Sequence, residues 1–154
     1  MQKMEYAFMS EIDNKLVHSV RKSIEVLIRS FKIDESITSK SVMARMNQPD
    51  MHSLMYIAQH PKCMANKLAG FLGVAPTTAS AIIDRLVKKD LITRSRTEEN
   101  RRIVQLTLSP SGEKTAKAIM EEQLTNCAEM LRPLSTKEQA MLASLLQKTA
   151  QHIS

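Results

Sequence analysis

At 154 residues, with 22 Lys and Arg against 16 Asp and Glu, the chain is long enough for one domain with its own core and carries a formal net charge of +6. Two cysteines, Cys63 and Cys127, exclude a disulfide-dense secreted scaffold and point to the cytoplasm; no apolar run approaches the roughly 18 residues of a membrane span, and none reads as a secretory leader. Between Lys62 and Arg102 nine basic residues face four acidic ones, so five of the six net charges lie in that stretch and a polyanion is its natural partner.

In chain order, Phe8, Ile12, Leu16, Val20, Ile24, Leu27 and Phe31 recur three or four residues apart, which predicts one long amphipathic helix from about Met4 to Phe31. At a rise of about 1.5 Å per residue its stripe outruns a small domain, so either it lies across the core or a second chain completes it. Residues 33–48 are polar and rich in Ser and Thr; they read as a linker that holds at most one short helix around Val42, Met43 and Met46. Asn47-Gln48-Pro49-Asp50 then supplies capping chemistry and a first-turn proline, and Met51, Leu54, Met55, Ile57 and Ala58 continue as a helix that ends near His60-Pro61.

Met64 to Leu108 is the most organised stretch. Leu68-Ala69 and Leu72-Gly73-Val74 describe a helix stopped by a glycine that takes the left-handed conformation. Pro76 opens a second helix, whose Ala79, Ile83 and Leu86 face inward. Thr77, Thr78, Ser80, Ala81, Asp84, Arg85 and Lys88 are left on the outer side, where Arg85 could donate two hydrogen bonds to a guanine. Two alternating runs, Leu91 to Arg96 and Ile103 to Leu108, joined by Thr97-Glu98-Glu99-Asn100-Arg101-Arg102, predict a β-hairpin with a basic tip. Arg94, Arg96, Asn100, Arg101 and Arg102 are its candidate contacts for a polyanion.

After the hairpin, Ser109-Pro110 restarts a helix carrying Ala116, Ile119, Met120, Leu124, Cys127 and Leu131, which Pro133 ends. Ser135-Thr136-Lys137-Glu138 has the spacing of a capping box. The last helix repeats the apolar face with Leu142, Leu145, Leu146 and Ile153, and with the first helix it can form a bundle beside the basic module.

Other chemistries lack a constellation. His18, His52, His60 and His152 are scattered without a metal-ligand pair, no metal or cofactor is expected, and no nucleophile with a local base, phosphate loop or carboxylate pair suggests an enzyme. A cysteine on an apolar helix face, such as Cys127, is usually a small core residue, with redox sensing the alternative. Eleven methionines against five aromatic residues is an unusual balance. Met43, Met46, Met51 and Met55 either fill an irregular core or line an adaptable pocket.

Taken in order, these motifs resemble the MarR family of winged-helix transcription regulators over Met51 to Leu146. The resemblance rests on Leu68-Ala69 through Leu72-Gly73-Val74, Asp84-Arg85-Leu86-Val87-Lys88-Lys89 with Leu91-Ile92, Asn100-Arg101-Arg102 with Val104-Gln105-Leu106-Thr107 and Gly112, and Leu134-Ser135 with Glu138 and Leu145-Leu146. It implies a mainly helical fold with a small β-hairpin, a winged helix-turn-helix in the order α-α-β-α-α-β-β-α-α, with N- and C-terminal helices forming a dimerisation bundle. Within one chain unit, residues 49–108 would be the DNA-binding lobe and 1–32 with 109–154 the dimerisation region, whose interface would include Phe8, Ile12, Leu16, Leu142, Leu145, Leu146 and Ile153. The implied function is that of a ligand-responsive repressor binding double-stranded operator DNA as a homodimer. The recognition helix would start at Pro76, and a small apolar or aromatic effector would meet the methionine cluster. The chain differs from the family pattern at Asp90, where the usual glycine is replaced by a residue that visits the left-handed region more readily than most, and at Ala75, Ala81 and Asn100, which keep open a partner-binding protein that has lost operator recognition.

Overall fold

The arrangement of the elements follows from how each helix is capped and which of its faces is apolar. The computed structural model describes residues 12–32, 42, 45–96 and 103–153. It forms two units, Met1–Ala44 and Arg45–Ser154. In the first unit lies α1 (Asn14–Lys32), with Leu16, Val20, Ile24 and Leu27 along one side. These residues are exposed, and Glu25 is bracketed by Arg21 and Arg29 one turn away on either side, at 3.3 and 3.0 Å. Of the helix expected from Met4 to Phe31, the described part runs from Asn14 to Lys32, with Ile12 and Asp13 ahead of its first turn rather than on it; Phe8 and most of the 33–48 linker lie outside the described residues.

The second unit begins with α2 (Gln48–Gln59). The Asn47 side chain accepts the Asp50 N–H at 2.8 Å, and Pro49 sits in the first turn, where a missing N–H is harmless. Met51, Leu54 and Ile57 point into the core, while the Tyr56 ring stacks between His60 and Phe71 at 4.3 Å from each. Lys62, at φ 62°, turns the chain into β1 (Cys63–Met64). Helix α3 (Ala65–Leu72) buries Leu68 and Ala69 and ends at Gly73, whose φ of 63° lets its N–H reach back to the carbonyls of Ala69 and Gly70. Helix α4 (Pro76–Lys88) buries Ala79, Ile83 and Leu86 as expected, and Ile82 besides. Asp90 then takes φ 54°, a left-handed conformation that aspartate visits more readily than most residues.

Strands β2 (Ile92–Arg96) and β3 (Val104–Leu108) pair antiparallel, with Ile92 opposite Leu108 and Arg96 opposite Val104. The hairpin is therefore as expected, and β1 joins β3 on its other side, with Cys63 opposite Leu106, to make a three-stranded sheet in the order β1-β3-β2. Ile92 and Leu106 carry the sheet's inner face into the core.

Helix α5 (Pro110–Leu131) is locked to the end of α4 by its own N-cap. The Ser109 hydroxyl accepts the Gly112 N–H at 2.9 Å and donates to the Asp90 carbonyl at 2.5 Å, and the Ser109 N–H donates to the Leu91 carbonyl at 3.0 Å. Gly112 packs so closely that a Cβ there would fall 1.8 Å from the Leu91 oxygen; only glycine fits. Helix α6 (Thr136–Ile153) begins with half of the expected capping box. Glu138 accepts both the Ser135 hydroxyl at 2.7 Å and the Ser135 N–H at 2.9 Å, which hold its carboxyl below the usual carboxylate range. The hydroxyl here donates to Glu138 where the full motif would have it accept a backbone N–H. All buried apolar residues among those described lie between Met51 and Ile119. The order of elements matches the sequence expectation throughout.

Candidate nucleic-acid interface

Helices α3 and α4 are joined by the short Gly73 turn, and α4 presents its outer face to solvent. Pro76, Thr77, Thr78, Ser80, Ala81, Asp84, Arg85, Lys88 and Lys89 are all exposed. The N-terminal half of this face carries only short side chains, and Ala75 offers no side-chain cap. The N–H groups of the first turn thus keep their hydrogen-bonding capacity at the positive end of the helix dipole, where an anion is favoured.

The C-terminal half is arranged differently. Asp50, in the first turn of α2, is 0% exposed, and a buried carboxylate needs partners. It has two from α4. Arg85 donates from Nη2 at 2.7 Å and from Nε at 3.3 Å to Oδ1, and Lys89 donates from Nζ at 3.0 Å to Oδ2. Burial on its own would raise the Asp50 carboxyl, but the hydrogen bonds and charges of Arg85 and Lys89 leave it below its ordinary value; the same contact pushes the Arg85 guanidinium up. Arg85 stands on the outer side, as the sequence reading has it, with two of its donors held within the protein by Asp50. Arg94 of β2, a candidate wing contact, is likewise paired, with Asp84 of α4.

The sequence held one sign of the Asp50 cluster. Asp50 stands four residues before Leu54 and seven before Ile57, so a charged group occupies a position on the buried stripe and must be matched from another element. Nothing in the local pattern names Arg85 and Lys89, 35 and 39 residues later, as the match.

Of the remaining candidates, Arg96 is exposed on β2, while Asn100, Arg101 and Arg102 lie outside the described residues. Met51 is buried in the core, Met46 and Met55 are half-buried, and Met43 is outside the described residues. A groove of about 290 Å³ opens elsewhere, lined by Met64, Ala65, Asn66, Ile103 and Val104 where β1, α3 and β3 meet. Ile12, Leu16, Leu145, Leu146 and Ile153 are exposed and Leu142 is half-buried; Phe8 is outside the described residues. Burial pushes the half-buried Cys63 thiol up, which disfavours the reactive thiolate, and Cys127 is exposed. No helix among the described residues is long and apolar enough to cross a membrane.

Two helices joined by a tight turn, followed by a hairpin and flanked by long helices, define a winged helix-turn-helix, the class of fold that offers one helix to a nucleic acid. A sequence model of the MarR family matches residues 46–104. The HTH-type transcriptional regulator BilQ of Clostridium symbiosum is 30% identical over 101 residues, covering 64% of this chain and 68% of that protein. Among solved structures, Streptococcus pneumoniae FabT in complex with DNA is similar with a TM-score of 0.74 at 22% identity, over 92% of this chain and 97% of that one. The PcaV transcriptional regulator of Streptomyces coelicolor, in complex with its natural ligand, is similar with a TM-score of 0.57 at 17% identity, over 90% and 92%. The chain belongs to the MarR family, and it is a transcription regulator with a winged helix-turn-helix.

Proposed function

We propose that the protein is a homodimeric repressor that binds a pseudo-palindromic operator and releases DNA when a small apolar or aromatic ligand binds. The observation that carries this reading is the outer face of α4: short polar side chains at Thr77, Thr78 and Ser80 follow an uncapped helix N-terminus, and β2 meets the same helix through the Arg94–Asp84 pair. A helix of this kind fits the major groove, and a basic wing tip at Arg101 and Arg102 is drawn to a narrow minor groove. In this reading residues 49–108 are the DNA-binding lobe, and the exposed stripes of α1 and α6 pair with a second copy. Dimeric two-fold symmetry then dictates the operator's symmetry. The DNA complex of FabT and the ligand complex of PcaV lend support by likeness of fold. The effector would contact Met46, Met51 and Met55, and the protein would act in the cytoplasm.

A second reading, a winged-helix partner-binding protein without operator recognition, is favoured by Ala81, which puts a methyl group on the outer face of α4 where a polar side chain would reach a base. Selection of duplexes from a random library by the purified protein separates the two. Enrichment of a two-fold symmetric sequence supports the repressor; recovery of unselected DNA or of none overturns it.

A further inference from the structure

Within the cationic stretch, the described basic residues fall into two sets. Lys62, Lys67, Lys88 and Arg96 make no ion pair among the described residues, whereas Arg85, Lys89 and Arg94 are each held by one of the lobe's own carboxylates. Asp50 is fully buried, yet the side chains of both its partners remain 45% exposed, so their charges sit at the rim of the same lobe that carries α4. Asp84 and Arg94 are both on the surface, linking α4 to the first strand of the wing. Every cation that reaches a DNA phosphate releases counterions and strengthens binding to any sequence alike. Preference for one sequence is a ratio between specific and indiscriminate binding, so it improves when cations near the reading helix are kept from phosphates.

We propose that Asp50 and Asp84 are specificity-determining residues, which hold Arg85, Lys89 and Arg94 away from the DNA backbone while Asp50 also sets the direction of α4. This inference rests on the reading of the protein as a DNA-binding regulator. Asp50 acts as a positioning residue: it ties the last turn of α4 to the first turn of α2 through two cations one turn apart, and the short side chains at the other end of α4 are aimed accordingly. Asp84 occupies Arg94 as a phosphate would.

The test measures binding of labelled duplexes by anisotropy across a salt series, using a duplex enriched by the wild-type protein from a random library and a shuffled duplex of the same composition. Asp84→Asn should steepen the slope of log affinity against log salt on the shuffled duplex by about 0.9 per protomer, which amounts to about eightfold over a tenfold salt range. Asp50→Asn, which frees two cations, should steepen it by up to about 1.8 per protomer and lower the preference for the enriched duplex. Because Asp84 is on the surface, its variant carries the test if Asp50→Asn does not fold. Adding Arg94→Gln to Asp84→Asn should restore the wild-type slope. Asp90→Asn is the control for simple loss of negative charge, since Asp90 is exposed, makes no ion pair among the described residues, and has a left-handed conformation that asparagine also accepts. Unchanged slopes in Asp84→Asn, or an equal change in Asp90→Asn, overturn the proposal. A wild-type protein that binds neither duplex overturns the DNA-binding reading and this inference with it; wild-type binding with unmoved slopes overturns this inference alone.

Discussion

Helices α4 and α6 repeat apolar residues at the same three- and four-residue spacing, yet α4 buries Ala79, Ile82, Ile83 and Leu86 while α6 buries none of its residues. Helix α5 shows the change of regime along its own length, with Ala116 and Ile119 buried and Leu124 61% exposed two turns on from Ala116. Periodicity therefore specifies that a helix has an apolar face but not what covers it. Around α4 the cover is α2, α3 and the sheet, all within about 60 residues of chain. Leu145 and Leu146 are more than half exposed, as is Leu16 on α1. Exposed stripes of this kind are hydrophobic surface that a second copy of the chain would remove from water, at roughly 25 cal/mol per Å².

The largest effect separating the two regions is expected from truncation. Leu54→Ala or Ile119→Ala, at positions of 0% exposure, should cost about 2–5 kcal/mol in denaturant unfolding, whereas Leu145→Ala should cost the dilute monomer less than about 0.5 kcal/mol. Similar losses at all three sites would erase the distinction. Gly112→Ala comes next. Its Cβ would collide with the Leu91 backbone, so the α4–α5 seam must shift, at a cost of about 1–3 kcal/mol, with a lower melting temperature as the readout.

The Asp50 cluster shows what the core requires of a charge. Arg85→Met with Lys89→Met leaves a buried carboxylate unpaired and should lower the melting temperature more than Asp50→Asn does, since the cations in the latter can turn to water. The carboxyl's folded value lies below its unfolded value of 3.8, so its contribution to stability is present above that pH and is lost as pH falls through the folded value. Acid titration of unfolding should show this loss in the wild type and not in Asp50→Asn.

Smaller effects on folding are expected on the exposed side, where function is the more sensitive readout. Leu16→Glu with Leu145→Glu should convert a sedimenting dimer to a monomer while the core still unfolds cooperatively; a wild-type monomer at micromolar concentration would remove the basis for a two-fold operator. Arg101→Ala or Arg102→Ala should leave thermal stability nearly unchanged and flatten the salt slope by about 0.9 for each phosphate that the missing guanidinium no longer neutralises, hence twice that in a symmetric dimer. Asn100→Asp is the companion substitution: tighter binding would mean that an acid orienting the wing arginines outweighs its repulsion of phosphate.

The helices and the two hairpin strands, the Gly73 turn, the Ser109-Pro110 restart and the inward Ala79, Ile83 and Leu86 of α4 could be read along the chain, because each depends on neighbours a few residues away; Ile82 left no such mark, and β1 entered only through the family resemblance. Backbone conformation, capping and periodicity are local, and their residue types record them. The pairing of Asp50 with Arg85 and Lys89, the Asp84–Arg94 contact, the Tyr56 stack on Phe71 and the addition of β1 to the hairpin were decided only when distant segments came together. A long cationic side chain on a helix surface looks the same in sequence whether it meets a phosphate or a buried carboxylate. Its role depends on the desolvated acid that the fold places within 3 Å, and that placement is a property of how α2 packs against α4.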